Sequence, residues 1–253
     1  MDRKSTAVRL RPHRGRKAAP AHRVGIFTAI AGTLLDARTF DAGAAKSTIA
    51  RLRAEGIPVI PLSVMTLGEL EPIAAELGLQ QAMVIEAGGA IARWSGERWE
   101  IEPCGPPAET MLDVMRDLED RSGASLIVHS AQPEQLLRDS ARRSFTEPFL
   151  IERGELASIE KAAGELGFSV RRGRRFYHLC RECDRGEAFA RLREELGCEV
   201  TIGVGGSMVD AEFLTLADAA IIVPGPDGVA DAELVARLPN ARIAPAPAPD
   251  GWT

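Results

Sequence analysis

The side chains most open to chemistry on type and spacing alone are the cysteines. Cys180-x-x-Cys183 has His178 two residues before it and Cys198 further on, a grouping that could bind zinc or cycle between thiol and disulfide. The same spacing also arises from ordinary small side chains near a strand end, and a lone CxxC lacks the second pair that structural zinc sites carry. Four cysteines, Cys104 included, in 253 residues do not make a disulfide framework, which fits a reducing compartment. The other concentration of reactive charge is the leader, residues 1–23. It holds eight Lys or Arg against the single acid Asp2, a net +7, so the formal −5 of the whole chain leaves −12 on residues 24–253. A basic, Pro-containing, aromatic-free segment cannot bury enough apolar surface to order itself and reads as a solvated tail. It could also serve as an arm for nucleic acid or another anionic partner. Its Arg-rich, acid-poor character matches an organelle transit peptide as well, although Pro12 and Pro20 oppose a continuous amphipathic helix.

The elements that must position any site follow from periodicity. A chain of this length with 45% apolar residues can bury a large core, and no stretch approaches the ~18 apolar residues of a membrane span. An intracellular, cytoplasmic protein with no membrane association is expected. Val24 to Ala31 is an apolar run too short for a helix and closed by Gly32, which predicts a buried strand. Ala45, Ile49 and Leu52 then recur at helical spacing up to Gly56. Residues 57–62 predict a second strand, 67–77 a helix and 82–85 a third strand. Strands with continuous apolar runs, alternating with helices, imply a parallel sheet covered on both faces, with any site along one edge.

From Gly88 the pattern changes. A hairpin around Ser95-Gly96-Glu97 is followed by helices at 108–121, 132–142 and 156–166, and by strands at 125–129, 147–151, 168–171 and 175–179. The parallel pattern resumes with a helix at 185–196, a strand at 199–204, a helix near 210–216 and a strand at 219–223. Ala244 to Pro249 alternates Ala and Pro and predicts an extended tail. The expected layout is a leader at 1–23, a core at 24–87 and 183–240, an insert at 88–182, and a Pro-rich tail at 241–253.

Phe27-Thr28-Ala29-Ile30-Ala31-Gly32-Thr33-Leu34-Leu35 resembles the first motif of the haloacid dehalogenase (HAD) superfamily, D-x-D-G-T-L-L. The resemblance continues with Ser63 after the second strand, with Asp184-Arg185-Gly186 where the family has D-K-G, and with Gly203 to Asp210 where it has G-x-G-D-x-x-N-D. It spans residues 24 to 228. Segments such as Glu86-Ala87-Gly88-Gly89, Thr146-Glu147-Pro148 and Gly173-Arg174-Arg175-Phe176-Tyr177-His178 are similar to the mannosyl-3-phosphoglycerate phosphatase branch. The resemblance implies an α/β fold, a Rossmannoid parallel-sheet core with an inserted α+β cap of type C2.

It also implies a mechanism. The first motif-one carboxylate attacks phosphorus and the second transfers the proton, while a hydroxyl and a cation hold the phosphoryl oxygens and Mg²⁺ screens the charge. Here the two carboxylate positions are Ala29 and Ala31, and the motif-four Asp is Gly206, which leaves Asp210 as a poor remnant of a magnesium site. Ser63, Arg185 and Ser207 remain as phosphate-binding positions. In the cap Arg143, Glu147, Arg174, Arg175 and His178 would meet a phosphorylated small molecule such as a sugar phosphate, unless they form a solvated basic face. The expected function is a phosphatase-like protein without phosphohydrolase activity, a phosphosugar or phosphoglycerate binding or regulatory module. The alternative is an active Mg²⁺-dependent phosphatase using a displaced nucleophile among Asp36, Asp184, Asp210 and Ser63.

Overall fold

A computed structural model describes residues 24–104, 111–129, 143–181 and 185–253. The leader, the helix expected at 132–142, and Cys183 and Asp184 of the motifs lie outside the described residues.

Five parallel strands form the core sheet in the order β12-β11-β10-β1-β2. They are β1 (Val24–Thr28), β2 (Val59–Pro61), β10 (Val200–Gly205), β11 (Ala219–Ile222) and β12 (Arg242–Ile243). β1 lies between β2 and β10, with Phe27 opposite Ile60 on one side and Gly203 on the other. The chain winds outward from β1 in both directions, so the crevice beyond its carboxyl end is the topological switch point where ligands of open α/β sheets bind.

Both faces of this sheet are covered. Helices α1 (Ala45–Ala54) and α2 (Leu67–Leu77) close one face, where Ile26, Ile30, Ile49 and Leu70 pack. Helices α5 (Arg185–Glu195), α6 (Ala211–Leu216) and α7 (Ala232–Arg237) close the other, where Phe27, Phe189, Phe213 and Leu234 pack. Helix α2 starts where its sequence says it should. The Thr66 hydroxyl accepts from the Glu69 N–H and the Glu69 carboxylate accepts from the Thr66 N–H, so two of the four orphan donors of the first turn are satisfied.

The hairpin expected inside the insert belongs to the core. Strand β3 (Ala82–Ile85) pairs with β4 (Ala90–Trp94), and β4 with β5 (Trp99–Pro103). Ile91 and Ala92 are fully buried in the core clusters. The cap begins further along, with α3 (Met111–Ser122) and α4 (Leu156–Glu165) packed on one antiparallel sheet. That sheet has the order β6-β7-β9-β8, from β6 (Ser125–Val128), β7 (Thr146–Arg153), β8 (Phe168–Arg172) and β9 (Tyr177–Arg181). It has its own core around Met115, Leu118, Phe149, Ile159 and Leu179.

The carboxyl-terminal segment is also corrected. It does not trail away: β12 adds to the sheet edge and Trp252, 8% exposed, packs in the cluster with Ile26 and Ile30. Its indole N–H donates to the Thr28 hydroxyl at 2.9 Å. An Ala-Pro alternation specifies an extended backbone but not whether that backbone is docked, and a terminal Trp docks it. Among the described residues no helix is long and apolar enough to cross a membrane.

Candidate functional site

The switch point gathers the motif residues at the carboxyl ends of β1, β2 and β10. Ala29 follows β1, buried, its N–H donating to the Val204 carbonyl. Ala31 is exposed one turn further. Ser63 follows β2; it is 3% exposed and its hydroxyl accepts from the Met65 N–H. Gly206, Ser207 and Asp210 follow β10. Methyl groups therefore stand at the two positions where the resemblance implies a nucleophile and a proton carrier.

Asp210 is fully engaged. One carboxylate oxygen accepts from the Gly206 and Ser207 N–H groups and the Ser207 hydroxyl, at 2.9, 3.0 and 3.3 Å. The other takes Arg185 Nη1 at 2.6 Å. Arg185, fully buried, also donates to the Val209 carbonyl. The cation expected to grip phosphate is thus neutralised by the acid expected to hold metal, and Ser207 caps that same acid. Asp36, a candidate displaced nucleophile, folds its carboxylate onto the N–H groups of Arg38 and Thr39, which hold its pKa below the ordinary value.

The cap residues fare differently from one another. Arg143 spans the junction, donating to the Val64 carbonyl at 2.9 Å and pairing with Glu69 at 3.1 Å. Glu147 is buried within β7, opposite Leu179 of β9. His178 is buried, and desolvation together with the nearby charges of Arg143 and Arg185 pushes its pKa down to about 3. It is neutral at physiological pH, so among the expected cations and donors it has no charge to offer. Arg175 is exposed, its guanidinium over the Phe176 ring.

Arg174 also reaches across to the core, to the loops that follow β1, β10 and β11. Its Nη2 donates to the carbonyls of Gly206 at 2.9 Å, Val223 at 3.1 Å and Gly32 at 3.4 Å. It borders an open cavity of about 670 Å³, together with Gly206, Gly225 and Asp231. Of the cysteine grouping, Cys180 is buried in the cap sheet beside Thr146 and Cys198 is buried in the core cluster with Phe189, so these two stand apart, while Cys183 lies outside the described residues.

Two site-building residues were given no role by the sequence reading, Glu86 being quoted there only as part of a similar segment. Glu86 is buried and accepts from the N–H groups of Ser144, Phe145 and Thr146, bolting the entry of the cap to the core. Burial raises its pKa against the three donors and the Arg143 charge, which lower it. Its signal was a carboxylate directly after the apolar strand Ala82–Ile85. Glu212 accepts from Arg171 of the cap at 2.7 Å and from the Arg185 N–H, and nothing local marked it.

A divalent cation does not fit these residues. Both oxygens of Asp210 are taken, and a Cβ built on Gly206, the first atom of any carboxylate there, would run into the Arg174 guanidinium. Among the described residues no group of three or more His, Cys, Asp or Glu side chains could hold a metal ion.

No protein-family model matches the chain. It is similar to a protein of Persephonella marina named glucosyl-3-phosphoglycerate/mannosyl-3-phosphoglycerate phosphatase, 28% identical over 90% of this chain and 93% of that one. A protein of the same name from Methanococcoides burtonii is 27% identical over the same shares. Among solved structures, a haloacid dehalogenase-like hydrolase from Bacteroides thetaiotaomicron superposes with a TM-score of 0.64 at 16% identity, covering 88% of this chain and 94% of that one. A parallel core wound outward from β1 and an antiparallel cap inserted after β5 give the chain the fold of HAD-type hydrolases, and over nine-tenths of its length it is similar to these phosphatases.

Proposed function

We propose that this chain is a mannosyl-3-phosphoglycerate phosphatase-like protein that has lost phosphohydrolase chemistry and binds a phosphorylated small molecule, of the phosphosugar or phosphoglycerate kind, between core and cap. The observation that carries the reading is the end of β1, where Ala29 and Ala31 present methyl groups at the switch point. A methyl group neither attacks phosphorus nor carries a proton, and removing a catalytic nucleophile costs on the order of 10⁶ in rate, about 8 kcal/mol of barrier. The carboxylates of Asp36 and Asp210 are committed elsewhere, which argues against either of these two as a displaced nucleophile. Absence of the two motif-one carboxylates also removes charge that repels a phosphate, and Ser63 keeps a hydroxyl at the crevice. The names of the relatives supply the ligand class.

The test is phosphate release from mannosyl- and glucosyl-3-phosphoglycerate by the purified full chain in excess Mg²⁺. The expected result is no release above that of an inactive purification control. Sustained turnover would overturn the loss of chemistry.

A further inference from the structure

Ser63 carries a hydroxyl at the switch point that folding leaves half used. Its oxygen accepts from the Met65 N–H at 3.1 Å, and among the described residues no acceptor takes its proton. The residue is 3% exposed, and a buried O–H without an acceptor costs free energy that the oxygen of a bound group would return. A hydroxyl has one proton to give, and the hydrogen bond its oxygen accepts restricts where that proton can point. The Met65 N–H therefore aims Ser63.

That N–H shares one planar trans peptide unit with the Val64 carbonyl, and the two point in opposite directions. Turning the plane would take the N–H off Ser63. Arg143 prevents the turn: its Nη1 donates to the Val64 carbonyl at 2.9 Å, while the guanidinium is itself fixed by the Thr146 hydroxyl at 3.2 Å and by Glu69 at 3.1 Å. The neighbouring planes are held from the core. The Ser63 carbonyl accepts from the Ala87 N–H at 2.8 Å and the Met65 carbonyl from the Glu86 N–H at 2.9 Å. The middle plane, the one that carries the Ser63 contact, is set by the residue leading into the cap strand β7. Arg143 is buried with its charge paired, so it reaches the site through Val64 rather than by gripping an anion.

We infer that Arg143 is a positioning residue for the Ser63 hydroxyl: it fixes the Val64–Met65 peptide plane, and that plane sets the direction in which Ser63 donates to a phosphate oxygen. The inference rests on the proposed reading that the crevice takes a phosphorylated ligand. The sequence resemblance placed Arg143 among the residues that meet such a ligand directly, and the geometry gives it this other part. A positioning side chain needs a rigid base. Glu86 provides one, since its carboxylate holds the N–H groups of Ser144, Phe145 and Thr146, the residues that follow Arg143.

The experiment is a double-mutant cycle on Arg143→Gln and Ser63→Ala, read by calorimetric titration of the full chain with inorganic phosphate, with Mg²⁺ absent and with Mg²⁺ present. Each single variant should weaken binding roughly tenfold, the worth of one directed hydrogen bond, and the double variant should bind no worse than Ser63→Ala alone. A residue that merely attracts the anion acts whether or not Ser63 has its hydroxyl, so its loss would multiply with that of Ser63. The amide resonance of Met65 is the second readout, and Arg143→Gln should shift it in the ligand-free protein. Arg143→Lys replaces the Gln variant where that one melts early; it keeps a charge and one donor, and should show the same non-additivity with a smaller loss. Multiplying losses, an affinity unchanged by the Arg143 variants, or an unmoved Met65 resonance overturns the positioning role and leaves the proposed binding function standing. Failure of the wild type to bind phosphate in either buffer overturns both.

Discussion

Asp210 and Arg185 form a buried pair whose value shows only when it is broken. Each is under 5% exposed at the side chain, and Asp210 also organises the Gly206–Ser207 turn. Removing one member leaves an uncompensated charge, so Arg185→Met or Asp210→Ala should each cost about 3–5 kcal/mol in urea unfolding, while the double variant costs well below their sum. His178 makes a second prediction. Its folded-state pKa of about 3 lies below the ordinary 6.5, so the unfolded chain binds the extra proton first as pH falls. Stability is therefore lost progressively from pH 6.5 down toward 3. Between pH 7 and 5 the wild type should lose about 2 kcal/mol more than His178→Gln, measured as the difference of the two unfolding curves. Arg143, Arg185 and His129 surround it and all push in the same direction.

At the scale of elements, the turn after β3 links core to cap. Glu86 and Ala87 sit at φ of 46° and 57°, a left-handed conformation that costs non-glycine residues energy. What holds it is the Glu86 carboxylate on three consecutive N–H groups leading into β7. Glu86→Ala strands those donors and should cost about 2–4 kcal/mol, whereas Glu86→Gln keeps one acceptor and should cost less. Hydrogen exchange at residues 144–146 checks this, since loss of the clasp exposes those amides. Element boundaries follow where local chemistry sets them: helical spacing up to Gly56 announced the end of α1, and the capping box of Thr66 and Glu69 fixes the start of α2. The hairpin of β4 and β5 was legible as a hairpin but not as part of the core, because its pairing with β3 is a choice of partner and periodicity gives only the faces.

At the scale of the molecule, the last residues close the sheet face opposite α5 and α6. Trp252 fills the cluster with Ile26 and Ile30 and bonds Thr28, the residue before Ala29. Trp252→Ala should lower stability by about 3–5 kcal/mol, read from denaturant unfolding, chiefly by leaving a cavity; the Thr28 hydroxyl loses the indole but keeps its own bond to the Ala29 carbonyl. Apolar period and residue type, both local properties, were enough for the strands and helices of the parallel core as far as β11 and for the absence of carboxylates at 29, 31 and 206. The sequence named both Arg174 and Arg185 as candidate cations, yet only the tertiary structure separated them. Arg185 meets Asp210 across 25 positions of chain, and Arg174 meets carbonyls at Gly32, Gly206 and Val223, so whether a charge is cancelled or left over depends on which distant groups folding brings beside it.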